Sequence, residues 1–217
     1  HKLSIKVIQK IGQSIKETFA ESDAKELNIL EIGCGTGITS KVLLDSDQRV
    51  KLAALDNEEI MLNQAKEKLT DYKKERVNFV LDDVLHYIEN LPDNSLDSVA
   101  SVLVLHNFKK EFRKKVIEQV YRVLKPGGLF VNGDKYALDD DAMHRKSYED
   151  QVKMFDKYDA IGRSDYKEHW INHYKEDDHV GVIFREAEAK ETLKELGFKD
   201  IKVIYRQMME ATIQAIK

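Results

Sequence analysis

Apolar residues recur every four positions at Val7, Ile11, Ile15 and Phe19, the spacing that predicts an amphipathic helix early in the chain. A short, almost wholly apolar run follows at residues 27–32 and ends on the glycine cluster Gly33, Gly35 and Gly37. From there two periods alternate. Residues 50–55 read as a second strand, and residues 57–69 as a helix with Met61, Ala65 and Leu69 on one side. Residues 77–81 give a third strand and 98–105 a fourth. Phe112, Val116, Val120 and Leu124 mark a further helix. It stops at Lys125-Pro126-Gly127-Gly128, because proline cannot continue a helix and glycine tolerates the exit turn. Residues 129–132 are a fifth strand. Near the end, Ala189, Leu193 and Leu196 form a helical stripe closed by Gly197, and two strand-like runs, 201–205 and 209–216, follow close together.

Short apolar strands alternating with helices imply an α/β fold whose mostly parallel sheet has helices on both faces. The gap between the last two strands is too short for another crossover, so an antiparallel hairpin is expected there. Residues 136–184 differ from the rest. They hold four of the seven histidines and eight aromatic residues, among them Tyr148, Phe155, Tyr166, Trp170 and Tyr174. An insertion of this length after a sheet strand predicts helices of its own, covering the strand ends as a lid or substrate-facing segment of a single domain spanning 1–217.

The length of 217 residues suits one such domain, and no window approaches the roughly 20 apolar residues needed to cross a bilayer. A formal net charge of −4 gives no global pull toward nucleic acid. The densest basic run, at 109–115, reads as a solvated helix face. Cys34 is the single cysteine, which excludes an intramolecular disulfide and a four-cysteine zinc site and points to a reducing cytoplasm. The opening His1-Lys2-Leu3-Ser4 has neither an initiator methionine nor a secretory pattern and reads as a remnant of trimming.

The strongest chemical signal is Leu30-Glu31-Ile32-Gly33-Cys34-Gly35-Thr36-Gly37 at a strand-to-helix junction, where glycines let the backbone turn sharply and approach a ligand. A dinucleotide fingerprint would place glycine where Ile38 stands, and no Gly-Lys-Ser/Thr follows to make a phosphate loop. Asp56, at the end of the second strand, can accept from two vicinal ribose hydroxyls; its competing role is a helix N-cap. Asp82-Asp83-Val84, after the third strand, can read an adenine amino group, or can be an exposed acidic turn. All three signals fall at C-terminal ends of consecutive strands, where open α/β sheets bind ligands.

With these residues the sequence resembles the class I S-adenosylmethionine-dependent methyltransferases over about residues 27–135. Residues 30–37 resemble the family's first motif, residues 101–108 its fourth-strand motif, and residues 124–128 the motif before strand five. The resemblance implies a Rossmann-like sheet of seven strands with the last antiparallel and S-adenosylmethionine as cofactor; it says less about the methyl acceptor, for which a small molecule enclosed by the 136–184 insertion is the expectation. It implies a cofactor site formed by Glu31, Gly33, Gly35, Gly37, Asp56, Asn57, Met61, Asp82, Asp83, Val84 and Leu103.

His106, directly after the fourth strand, is the first candidate for a general base. The alternative is a structural histidine, since no partner carboxylate is evident in the sequence. Asp134, Lys135 and Tyr136 follow as candidates. His169 and His173 lie one helical turn apart with Asp177, Asp178 and His179 nearby, but Trp170 stands where a zinc-protease motif needs glutamate. A polar helix face is the expectation there, with no metal. Two other enzyme readings stay open. A faint resemblance to carboxy-S-adenosylmethionine synthase and trans-aconitate-type methyltransferases lies in residues 133–136 and 205–217, with Arg163 and Arg206 as the loosely placed arginines that a carboxylated product would need. A tRNA-modifying enzyme is opposed by the acidic balance. A cofactor-binding module without turnover is the non-enzyme alternative.

Overall fold

The central strands are apolar on both faces because each face meets its own layer of helices. A computed structural model describes residues 2–217; His1, the first residue of the segment read as a remnant, lies outside them. The elements run α1 (Lys2–Thr18), β1 (Leu27–Ile32), α2 (Ile38–Ser46), β2 (Val50–Asp56), α3 (Glu59–Lys68), β3 (Val77–Leu81), α4 (Val84–Glu89), β4 (Leu96–Val102), α5 (Lys110–Val123), β5 (Leu124–Lys135), α6 (Asp141–Lys153), α7 (Ser164–Asp177), α8 (Glu186–Leu196), β6 (Lys199–Gln207) and β7 (Glu210–Ile216). Within β1, Leu27 and Ile29 join one core with Ile11 and Ile15 of α1 and Leu43 of α2. Leu30 and Ile32 point the other way, into a core shared with Ile88 of α4, Val116 and Val120 of α5 and Leu193 of α8. Alternation across the pleat thus turns one apolar run into two cores.

The sheet has seven strands in the order β3-β2-β1-β4-β5-β7-β6. β1 to β5 are parallel, and β7 alone opposes its neighbours on both sides. The strand order reverses outside β1 and β4, and a crevice opens there at the C-terminal edge.

Several boundaries differ from the sequence reading. β4 ends at Val102, not at 105, because Leu103 takes a φ of 55° and its N–H donates to the Gly133 carbonyl before a 3-10 turn at Leu105–Asn107. β5 runs from Leu124 to Lys135, not 129 to 132: Leu124 leaves the helix to pair with Leu96 of β4, so residues 125–128 belong to the strand, and Asp134 and Lys135 still pair with Ala211 and Glu210 of β7. Helix α4 was unanticipated: the Asp83 carboxylate accepts from the N–H groups of Leu85 and His86 and caps its first turn. Residues between β5 and α8 form α6, a 3-10 stretch at Met154–Ile161 and α7, with a small aromatic core of Phe155 and Tyr174 sealed by Met209. The insertion's stem is fastened at both ends. Arg185 donates to the Leu138 carbonyl, and Arg113 of α5 donates to the carbonyls of Val182 and Ile183. Among the described residues no helix is long and apolar enough to cross a membrane.

Candidate active site

The glycine turn after β1 is held by backbone bonds and by absence of side chains. Gly33, Gly35 and Gly37 all have positive φ. A Cβ on Gly33 would lie 2.3 Å from a Val104 methyl, and one on Gly37 would lie 3.0 Å from Ala65 Cβ of α3. Gly35 differs: a Cβ there would meet nothing within 4 Å, because this residue faces the crevice. Its N–H donates to Asp56 Oδ2 over 2.7 Å, while Glu58 N–H donates to Oδ1 over 2.9 Å. Asp56 is therefore fixed by the glycine turn on one side and the entry to α3 on the other. The N-cap position of α3 falls on Glu58, so the helix-cap role belongs to a neighbour.

The crevice is a cavity of about 470 Å³. Of the residues expected to hold a cofactor, Gly33, Gly35, Asp56, Asn57, Met61, Asp82, Asp83, Val84 and Leu103 line it. Glu31 and Gly37 do not. Gly37 packs beneath the turn on Ala65, and Glu31 is buried on the α2 side of the sheet, where Ser40 Oγ donates to its Oε2 over 2.5 Å. Its Oε1 is buried with no hydrogen-bond partner among the described residues. Burial raises the Glu31 carboxyl from 4.5 to about 7, the Ser40 hydroxyl works against that shift, and the Asp56 charge adds to it. Val104, Asn107 and Phe108 also line the cavity and escaped the sequence reading, although they flank Leu103 inside a segment already singled out. Leu103 itself sits in the left-handed region, a strain of order 1 kcal/mol that is characteristic of functional loops.

Can these residues hold S-adenosylmethionine? Each Asp56 oxygen accepts one backbone N–H and keeps a lone pair for a ribose hydroxyl. Gly35 leaves the open space a ligand backbone approach requires. Val84, Leu103 and Val104 give an apolar slot with Asp82 and Asp83 at its rim. The donor and acceptor set fits.

His106 departs from expectation in its partners. It is buried, does not line the cavity, and its Nδ1 lies 2.5 Å from Asp134 Oδ1. Asp134 Oδ2 also accepts from the His106 N–H and from Asn132 Nδ2. The carboxylate missing from the sequence reading is thus supplied by β5: the register pairing of Val102 with Gly133 puts Asp134 beside the residue that leaves β4. His106 Nε2 points away from Asp134, has no hydrogen-bond partner among the described residues, and lies 3.9 Å from Asp177 Oδ2 at the end of α7. Lys135 Nζ donates to the same Asp177 oxygen over 2.5 Å and sits 4.2 Å over the Tyr174 ring. Tyr136 is core, packed on Phe184 with its hydroxyl accepting from Asn132, and burial pushes its phenol well up.

The histidine pair of the insertion does not act together. His169 contacts the Trp170 ring, whereas His173 turns to Asp177, its Nε2 at 3.8 Å. Among the described residues the grouping that could hold a metal is instead His106, His173 and Asp177, whose ligand atoms lie within 4.8 Å of one another, and the Lys135 ammonium already sits on its carboxylate. Asp178 pairs with His144. Arg163 pairs with Asp165 and Arg206 with Glu186, away from the cavity.

Residues 29–128 match a family described as a methyltransferase domain. The chain is 27% identical over 195 residues to the carboxy-S-adenosyl-L-methionine synthase of Nautilia profundicola, covering 87% of this chain and 76% of that one. It is 27% identical over 184 residues to the tRNA N(3)-cytidine methyltransferase METTL6 of Rattus norvegicus, covering 83% of this chain but 60% of the relative. In fold it matches the CurJ carbon methyltransferase with a TM-score of 0.68, at 17% identity over 96% of this chain and 53% of that one. The seven-stranded order, the glycine turn and these matches agree: residues 29–128 match a methyltransferase domain, and the chain is similar in sequence and fold to class I S-adenosylmethionine-dependent methyltransferases.

Proposed function

We propose that this protein methylates a small-molecule acceptor, with the cofactor in the crevice between β1, β2 and β4 and the acceptor between that crevice and the insertion. The observation that carries the reading is the Asp56 carboxylate, locked by Gly35 and Glu58 at the strand-order reversal and open to the cavity. When bound, S-adenosylmethionine supplies a methyl group already activated on a sulfonium. The residues need then only bind, orient and dry the site. Asp56 would hold ribose hydroxyls, Val84, Leu103 and Val104 would flank the adenine, and Asp82 or Asp83 would accept from its amino group.

An acceptor with an ionisable O–H, N–H or C–H would lose its proton to His106 Nε2. Asp134 keeps the other ring nitrogen protonated and steadies the charge that results. The insertion supports a small acceptor, because it covers this dyad and leaves His106 buried.

The test is turnover of methyl-labelled S-adenosylmethionine against pooled small metabolites and, separately, against bulk tRNA. Label moving into the small-molecule fraction, with kcat lowered about 10²-fold or more by Asp134→Asn, is the expected result. Label moving into tRNA would replace the acceptor class. Tight cofactor binding with no transfer into either pool would favour a non-catalytic module.

A further inference from the structure

The acceptor side of the site has an unusual closure. Helix α7 meets the end of β5 through charge: Asp177 closes on Lys135, His106 and His173, and the aromatic cluster beside it lies largely within the insertion itself. Both partners of the central ion pair are nearly buried, at 7% and 10% side-chain exposure. A buried pair of this kind contributes little over apolar residues of the same volume, so stability alone does not explain its presence. Its helix also resists it. Glu176, Asp177 and Asp178 crowd the C-terminal end of α7, where the helix dipole favours cations. The contact leaves its surroundings poorly satisfied as well. The Asp177 oxygen bonds Lys135 Nζ, yet it stands 3.9 Å from His106 Nε2 and 3.8 Å from His173 Nε2, and His106 Nε2 is left buried and unpartnered.

A cation fixed at the C-terminal end of a sheet strand, beside the proposed proton acceptor and covered by a carboxylate carried on a lid helix, has the form of an anion subsite with an internal occupant. We propose that Lys135 is the anchor for an anionic group of the acceptor, a carboxylate or a phosphate, and that Asp177 fills its place when no acceptor is bound. The inference rests on the methyltransferase reading and narrows its acceptor to an acidic small molecule. The acceptor's anion takes over the Lys135 ammonium, α7 gives way with Asp177, and the nucleophile comes to lie by His106 Nε2. Lys135 then sets specificity, and Asp177 competes with substrate.

Trp170, the only tryptophan, lies on α7 and packs on Phe155 and His173, so its emission reports displacement of that helix. The experiment titrates malonate and inorganic phosphate, in separate arms, into wild type, Asp177→Asn and Lys135→Met. Each sample is saturated with S-adenosylhomocysteine, whose own binding is recorded first by calorimetry. Wild type is expected to bind one of the two anions with a change in Trp170 emission. Asp177→Asn, which keeps the shape and removes the competing charge, should bind it about tenfold or more tightly. Lys135→Met should not bind it. The arm that responds identifies the anion as carboxylate or phosphate.

Equal affinity in wild type and Asp177→Asn, undiminished binding by Lys135→Met, or no anion binding by any form that still takes up S-adenosylhomocysteine would each overturn the proposal and leave the cofactor reading standing. One equivalent of Zn²⁺ taken up by wild type and lost in His173→Ala would assign the cluster to a metal, and overturn it too. Failure to bind S-adenosylhomocysteine would instead strike the underlying reading.

Discussion

Glu31 gives a quantitative link between the glycine turn and stability. Its carboxyl is raised from 4.5 to about 7, chiefly by burial on the α2 face, with Ser40 opposing and Asp56 adding to the shift. Between those two values the folded chain holds a proton that the unfolded chain has released. Stability therefore falls as pH rises through this window, being fully retained below about 4.5 and lost above about 7. A shift of that size corresponds to about 3 kcal/mol. Glu31→Gln reproduces the protonated carboxyl and still accepts from Ser40, so it isolates the ionisation. Urea unfolding of both forms, without cofactor, should show them equally stable near pH 4.5, with the variant ahead by up to about 3 kcal/mol at pH 8. His173, whose charged form is disfavoured by burial and by the Lys135 ammonium, contributes equally in both proteins and cancels in the comparison. A difference that does not change with pH, or a wild type that is the more stable at pH 8, would refute the reasoning.

Three further outcomes follow from local geometry. Gly35→Ala places a methyl group in open cavity at a φ of +50°, so it should cost the fold only about 1 kcal/mol yet sharply weaken S-adenosylhomocysteine binding. Gly33→Ala drives a methyl to 2.3 Å from Val104 and should lower the melting temperature as well, which thermal shift with and without ligand will separate. Arg113→Ala removes a guanidinium that reaches the carbonyls of Phe108, Val182 and Ile183 and lies 4.0 Å over Phe184; a loss of about 3 kcal/mol is expected in denaturant titration. A loss under about 0.5 kcal/mol, the range of ordinary surface changes, would contradict its role as the stem's fastening.

The parts of the molecule visible in the sequence were those governed by local rules. Two-faced strands and the glycine turn write their physics into consecutive residues. The hidden parts depend on contacts between distant segments. Asp134 becomes the partner of His106 only because β4 and β5 lie in register at Val102 and Gly133. Arg113 looked like one more charge in a basic run, although it falls three and four residues ahead of Val116 and Ile117, on the buried stripe of α5. That offset was the available signal. Helix α4 was missed because Asp82-Asp83 reads equally as a turn, and the difference lies in where the Asp83 carboxylate points. His169 and His173 shared the right spacing for one ligand, but α7 turns only His173 toward Asp177.

The central claim is that the crevice beside Asp56 holds the cofactor, and calorimetric titration with S-adenosylhomocysteine tests it most directly, with wild type and Asp56→Ala side by side. One equivalent bound by wild type, weakened at least about tenfold in the variant, is the predicted result, since two hydrogen bonds to a charged acceptor are lost. A folded wild type that binds none, or a variant that binds as tightly, would contradict the account.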